Sequence, residues 1–350
     1  MKRPARYPWP ASQISFILLI ALTVWTTWLL VLSPSVALTK LLDNWEVALT
    51  MTLGSMVAGA TSLGGGAVAF PIFTKVLEVD PAAAKAFSLA IQSVGMGAAT
   101  IVIIFNKIEV DWKIIRWGSL GGMPGIFLGL GTVSPLLSPP IIKFSFTLML
   151  SSFAVILLAT NRCARQCHTQ VPIWTHREQG IALGAGFFGG IISGLIGNGI
   201  DIVMFALMVL LFRVSEKVAT PTSVILMAIN ALVGLVLQQF VFRSFAEPAL
   251  SYFLAAIPVV VVGAPLGAVL CTKLSRQAIV NSLVGLIAIE LVSSLILIPL
   301  NTSIILTGMG ILLVFSALSY EMTRIRHYEF PADAKHRTVS CKCIKVSRLR

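Results

Sequence analysis

Two glycine clusters and one isolated acid are the residues of this sequence best suited to chemistry on an anion. Gly64-Gly65-Gly66 and Gly197-Asn198-Gly199 interrupt the apolar stretches 46–78 and 180–212. Glycine removes backbone rigidity and side-chain cover, so each cluster is expected to break a helix. A helix restarting after such a break offers free backbone N–H groups and the positive end of its dipole, which suits an anion. Inside a membrane, broken backbone is tolerated only against protein or a watery cavity, so the two breaks predict a cavity between them. The competing role for such glycines is close helix packing.

Asp201 follows the second break by two residues. A carboxylate in a membrane segment costs about 2.5 to 3.5 kcal/mol on insertion scales, so it needs a purpose or a partner. It is the first candidate for proton coupling, against the alternative that it caps the start of its own helix; Glu290, deep in the stretch 276–297, is the second. Ser88, Thr222 and Ser223 can donate hydroxyls to an oxyanion or bond back to their own helices. Lys85 and Lys217 can draw anions toward the breaks or snorkel to the interface. Gln92, Asn230, Gln238 and Asn281 can line a polar path or bond between helices.

The elements that must position these residues are membrane helices. The chain has 350 residues, 57% apolar and 11% charged, with mean hydropathy +0.91, where a soluble domain is about 25% charged. Apolar runs fall at 12–33, 84–105, 113–134, 139–160, 218–241, 248–272, 276–297 and 301–322. Each matches the roughly 20 residues that cross a hydrocarbon core. A β-barrel is excluded because the runs are apolar on every face. The fold expected is an all-α integral membrane protein with about eight transmembrane helices plus two re-entrant or broken helical hairpins.

Charge sets the orientation. With the N-terminus inside, only Lys40, Lys75, Lys85, Lys143 and Arg243 of the 26 basic residues fall outside, as the positive-inside rule requires. The net charge of +12 is therefore topological, and no nucleic-acid partner is expected. Residues 12–33 read as an uncleaved helix, because the apolar run is longer than that of a signal peptide.

The two stretches recur in order. Ala60-Thr61 and Gly64-Gly65-Gly66 match Ser193-Gly194 and Gly197-Asn198-Gly199; Ala84 to Ser88 match Ala219 to Ser223; Gly125 and Gly129 match Gly263 and Gly267. Each unit is a hairpin plus three crossings. Three is odd, so the copies face opposite sides in an inverted-topology repeat, an arrangement of secondary transporters that bind near the midplane. The expected partition is a cytoplasmic N-terminus (1–11), a flanking helix (12–33), the first repeat (46–160), a basic cytoplasmic loop (161–179), the second repeat (180–297), a flanking helix (301–322) and a basic cytoplasmic tail (323–350).

Leu63-Gly64-Gly65-Gly66 with Pro71, Ala84 to Ser88, Ile196-Gly197-Asn198-Gly199 and Ala219 to Ser223 together resemble the duplicated motifs of the sulfite exporter TauE/SafE family. The resemblance covers most of the chain. It implies a transporter of small, often sulfur-containing oxyanions or organosulfonates such as sulfite or sulfoacetate, working in export from the cell membrane. Asn198 in place of glycine, Asp201, and Phe87 opposite Thr222 depart from a strict repeat.

Other chemistry is set aside. Gly184 to Gly189 satisfies a dinucleotide-binding pattern but lies within an apolar helix with no strand before it. Cys163, Cys167, His168 and His176 have no regular zinc spacing, and Cys341 and Cys343 lie in the basic tail, which is expected on the anionic inner leaflet. No nucleophile with a base is present, so no enzyme, cofactor or metal is expected. The expected function is membrane transport of a small anion by alternating access, with the lipid bilayer and the substrate as partners and a homo-oligomer left open. An anion channel and a non-transporting assembly partner are the alternatives.

Overall fold

The computed structural model describes residues 11–61, 72–73, 77, 79–161, 165–298, 301–325 and 338–341. Gly64-Gly65-Gly66, Pro71 and Lys75 lie outside the described residues, as do Cys163 and Cys343.

Polar residues at helix starts set where the helices begin. Asp80 accepts from the N–H groups of Ala82 and Ala83, and Pro81 opens α4 (Pro81–Phe105), where its missing donor costs nothing. Asp111 does the same for α5 (Trp112–Leu128), which continues through a π-helical turn, Gly129–Val133, into Ser134–Leu136. Thr175 and Glu178 form a capping box at the start of α7 (His176–Ile196), supplying partners for donors that a helix start leaves open. Ahead of these lie α1 (Ala11–Leu32), α2 (Pro34–Asp43) and α3 (Trp45–Ala60), with α6 (Pro139–Asn161) before α7. After it come α8 (Ile200–Ala206, with a π turn Leu207–Leu211) and α9 (Glu216–Val236, with a π turn Leu237–Val241). The chain closes with α10 (Ala249–Lys273), α11 (Arg276–Leu297) and α12 (Thr302–Arg324).

Among the described residues eight helices are long and apolar enough to cross a membrane. The set differs from expectation at two places: α7, at 21 residues, qualifies, while α5 is not among the eight and reaches crossing length only when its π turn is included. At 1.5 Å per residue α7 is about 31 Å long, so the first arm of the second hairpin can span rather than dip. Parity is unaffected, because both ends of that hairpin are tied together. His168 donates its backbone N–H to Arg213 and accepts from Ser215, at 2.9 Å each.

The outer surface is a belt of apolar side chains, with Leu30 85% and Ile296 74% exposed, suited to acyl chains and not to water. Helix α1 docks on α10 through two tryptophans. Trp28 Nε1 donates to the carbonyl of Leu254 and Trp25 Nε1 to that of Pro258, both at 2.9 Å. The Leu254 carbonyl faces Pro258 one turn on, which has no N–H to offer it, so Trp28 supplies the missing donor.

The helix contacts fall into matched pairs, as an inverted repeat requires. Helix α3 packs on α10 and α7 on α5; α4 packs on α10 and α9 on α5; α4 meets α9, and α6 meets α11. Each hairpin therefore packs its first arm on the second crossing of the opposite repeat. Glycines permit it: a Cβ on Gly121 would lie 2.0 Å from the Leu183 carbonyl oxygen, and one on Gly59 would lie 2.0 Å from that of Ala264. Such backbone approach is the role of small residues between membrane helices.

The one antiparallel ribbon among the described residues pairs β1 (Arg165–His168) with β2 (Thr338–Cys341). It leaves the all-α membrane class intact. Through it, residues Thr338–Cys341 are hydrogen-bonded to the loop between the repeats.

Candidate functional site

Helix α7 ends at Gly197, whose φ of +94° is left-handed and whose N–H closes on the Ser193 carbonyl at 2.8 Å. A side chain there would be strained. It would also collide, since a Cβ on Gly197 would lie 2.6 Å from Ser88 Cβ and 2.9 Å from the Lys85 carbonyl oxygen. Gly199 is held for space alone, its Cβ position lying 2.4 Å from Ile192. Sequence spacing thus locates the break, and the reason for glycine at each end is now specific.

The first repeat reaches into this break. Gln92 Nε2 donates to the Gly197 carbonyl at 2.9 Å and Ser88 Oγ donates to it at 3.3 Å, while Gln92 Nε2 also lies 2.8 Å from Ser88 Oγ. Both side chains are buried. Lys85, one turn earlier, is mostly buried and gives its Nζ to Ser134 Oγ at 2.6 Å, rather than snorkelling freely. Lys217 is exposed. Since Lys85 and Ser88 lie within two turns of the N-terminal end of α4, the tip of the second break lies level with that end and not with the middle of the helix.

Beyond the break the N–H groups of α8 have partners of an informative kind. Ser193 Oγ, reaching back across the break, accepts the Ile200 N–H at 3.0 Å. The buried carboxylate of Asp201 accepts the Ile202 N–H at 3.0 Å. The acid thus caps its own helix start, and in doing so it occupies a donor that an anionic ligand would use. Asn198, between the glycines, is fully buried.

The remaining sequence candidates lie elsewhere. Thr222 accepts the Asp111 N–H at 3.0 Å and donates to the Val218 carbonyl at 2.7 Å; Ser223 donates to the Thr220 carbonyl. Neither hydroxyl meets the second break, and the break equivalent to it falls outside the described residues. Glu290 belongs to a separate buried cluster between α6 and α11, where Thr147 Oγ1 and Ser294 Oγ each lie 3.2 Å from its Oε1. Asn281 is exposed. Ser193 was matched to Ala60 by the repeat, yet its hydroxyl went unweighted in the sequence; a serine one turn before a helix-ending glycine was the available signal. No group of three metal-ligating side chains occurs among the described residues.

No solved structure matches the chain significantly. The chain is 25% identical over 251 residues to the probable membrane transporter protein YunE of Bacillus subtilis, covering 65% of this chain and 87% of that one. The family profile described as Sulfite exporter TauE/SafE matches residues 47–293, a span holding both hairpins and the crossings between them, and the chain belongs to that family of membrane transporters.

Proposed function

We propose that the protein moves a small anion, a sulfur oxyanion such as sulfite or an organosulfonate such as sulfoacetate, outward across the cell membrane by alternating access, with both termini in the cytoplasm. The observation that carries the reading is the buried start of α8 at the second break, where the Asp201 carboxylate holds the Ile202 N–H and the Ser193 hydroxyl holds that of Ile200. A site that bonds one carboxylate through a backbone N–H has the chemistry to bond another small oxyanion in its place.

Asp201 then acts as a tethered competitor. While ionised it fills the donor; once protonated it becomes a weak acceptor and releases it, so arrival of a proton and arrival of the anion are coupled at one group. Gly197, Asn198 and Gly199 give the anion backbone access, Ser88 and Gln92 hold the break open from the other repeat, and the first break, Gly64-Gly65-Gly66, serves the opposite face by the repeat. Thr222 and Ser223 are assigned to that half, while Glu290 is assigned to helix association. The rocking bodies are not the sequence repeats themselves. Because α3 is seated on α10, and α7 on α5, the first arm of each hairpin travels with the helix of the other repeat.

The test is flux of labelled sulfite into proteoliposomes, with and without an imposed pH gradient. Saturable uptake stimulated by the gradient supports the reading. Uptake that never saturates supports the channel, and no movement of sulfite, thiosulfate or sulfoacetate supports an assembly partner.

A further inference from the structure

Two buried amides on α9 are left over by this scheme. Asn230 is 1% exposed and Gln238 is fully buried, and neither the nitrogen nor the oxygen of either side chain has a hydrogen-bond partner among the described residues. Buried amides are ordinarily bonded, so two on one helix require a reason. Between-helix bonding, the usual employment in membranes, is absent here.

Their places relate to the second break. A Cβ on Gly122 would meet Ile200 at 2.5 Å and Asn230 Oδ1 at 3.0 Å, so Asn230 stands level with the first residue of α8. One turn on, Gly234 abuts Leu89, the neighbour of the Ser88 that bonds Gly197. Gln238 lies one further turn along, inside the π turn Leu237–Val241, and such turns gather at functional sites. Eight residues separate the two amides, about 12 Å along the axis, and their directions differ by only about 80°. The equivalent positions of the first repeat are Gly95 and Ile103. A packing need common to both halves would not place amides in one of them.

We propose that Asn230 and Gln238 are two successive stations for the oxyanion, leading it along α9 between the second break and the outer face. Each offers a neutral N–H donor. A neutral donor replaces part of the hydration shell yet holds an anion less firmly than a lysine, so the ion can leave as well as arrive. The proposal rests on the anion reading above.

Asn230→Leu and Gln238→Leu, compared with Asn230→Gln and Gln238→Asn, test it in the full-length protein in proteoliposomes with labelled sulfite. Each leucine variant is expected to lose about tenfold or more of the flux, the loss of roughly one hydrogen bond. The amide-retaining variants keep more of it. Thermal midpoints of the leucine variants stay level or rise, because an unpaired buried amide has been removed, and sulfite still raises them through the intact break. Leucine variants that transport within twofold of wild type overturn the stations while leaving the anion reading in place. A wild type that neither moves sulfite nor is stabilised by it removes both.

Discussion

The Nε2 of Gln92 in the first repeat donates to the carbonyl of Gly197 in the second at 2.9 Å. That carbonyl belongs to the residue where α7 ends, so one side chain of one repeat fixes the backbone conformation at the break of the other. Gln92→Ala leaves the carbonyl with only the longer bond from Ser88. We expect a loss of about 1 to 3 kcal/mol in stability and a larger proportional loss of flux, read by thermal unfolding in detergent beside proteoliposome uptake. Equal flux in the variant would remove the positioning role.

Gly197→Ala combines a left-handed φ with contact against Ser88 and Lys85. The substitution is expected to lower both the thermal midpoint and the flux, while Gly184→Ala, which meets nothing within 4 Å, changes neither. The pair separates the break from the other glycines of the same stretch.

Asp201→Asn keeps the size and removes the charge that occupies the Ile202 N–H at the start of α8. Transport driven by an imposed pH gradient should fall to the level seen without one, while sulfite binds at pH values where the ionised wild type excludes it. Gradient stimulation that survives in Asp201→Asn would dismiss the coupling role.

Trp28→Phe keeps the ring and deletes the donor to the Leu254 carbonyl. The cost is expected to be about 1 kcal/mol, seen as a lower thermal midpoint with flux intact, because α1 lies outside the paired repeats. The same change paired with Pro258→Ala, which restores an N–H one turn on, should cost less than the single changes added together.

Lys40 of α2 lies 3.2 Å from Glu247, in the loop between α9 and α10, and also bonds Ser251. The hydrogen bond from Ser251, with Lys40 beside it, holds the Glu247 carboxyl below the usual carboxylate range. A lowered value in the folded state contributes stability that is present above the unfolded value and lost as pH falls through the folded one. The difference in thermal midpoint between wild type and Lys40→Met should therefore be constant from pH 8 to about pH 5 and shrink as pH falls through the lowered value of Glu247. It should be small, as for any exposed pair.

Length and hydropathy of the apolar runs determined the all-α membrane class by themselves, while the position of the basic residues and the order of the repeated glycines set the expected orientation and duplication. These depend on local composition, which the membrane reads run by run. The second break was legible for the same reason, since Gly197 and Gly199 act on their own backbone. What the hydroxyls, amides and acids do was decided only by packing. Ser88 and Ser223 occupy matching places in the sequence, yet one reaches the second break while the other bonds back to the Thr220 carbonyl of its own helix. Glu290 and Asp201 are both buried acids, one bonded by two hydroxyls between helices and the other folded over its own helix start. Asn230 and Gln238 are indistinguishable from ordinary helix glue until the neighbouring helices are in place and leave them unbonded. A side chain's partner is set by which helix lies opposite, and here the opposite helix belongs to the other repeat, more than a hundred residues away in the chain.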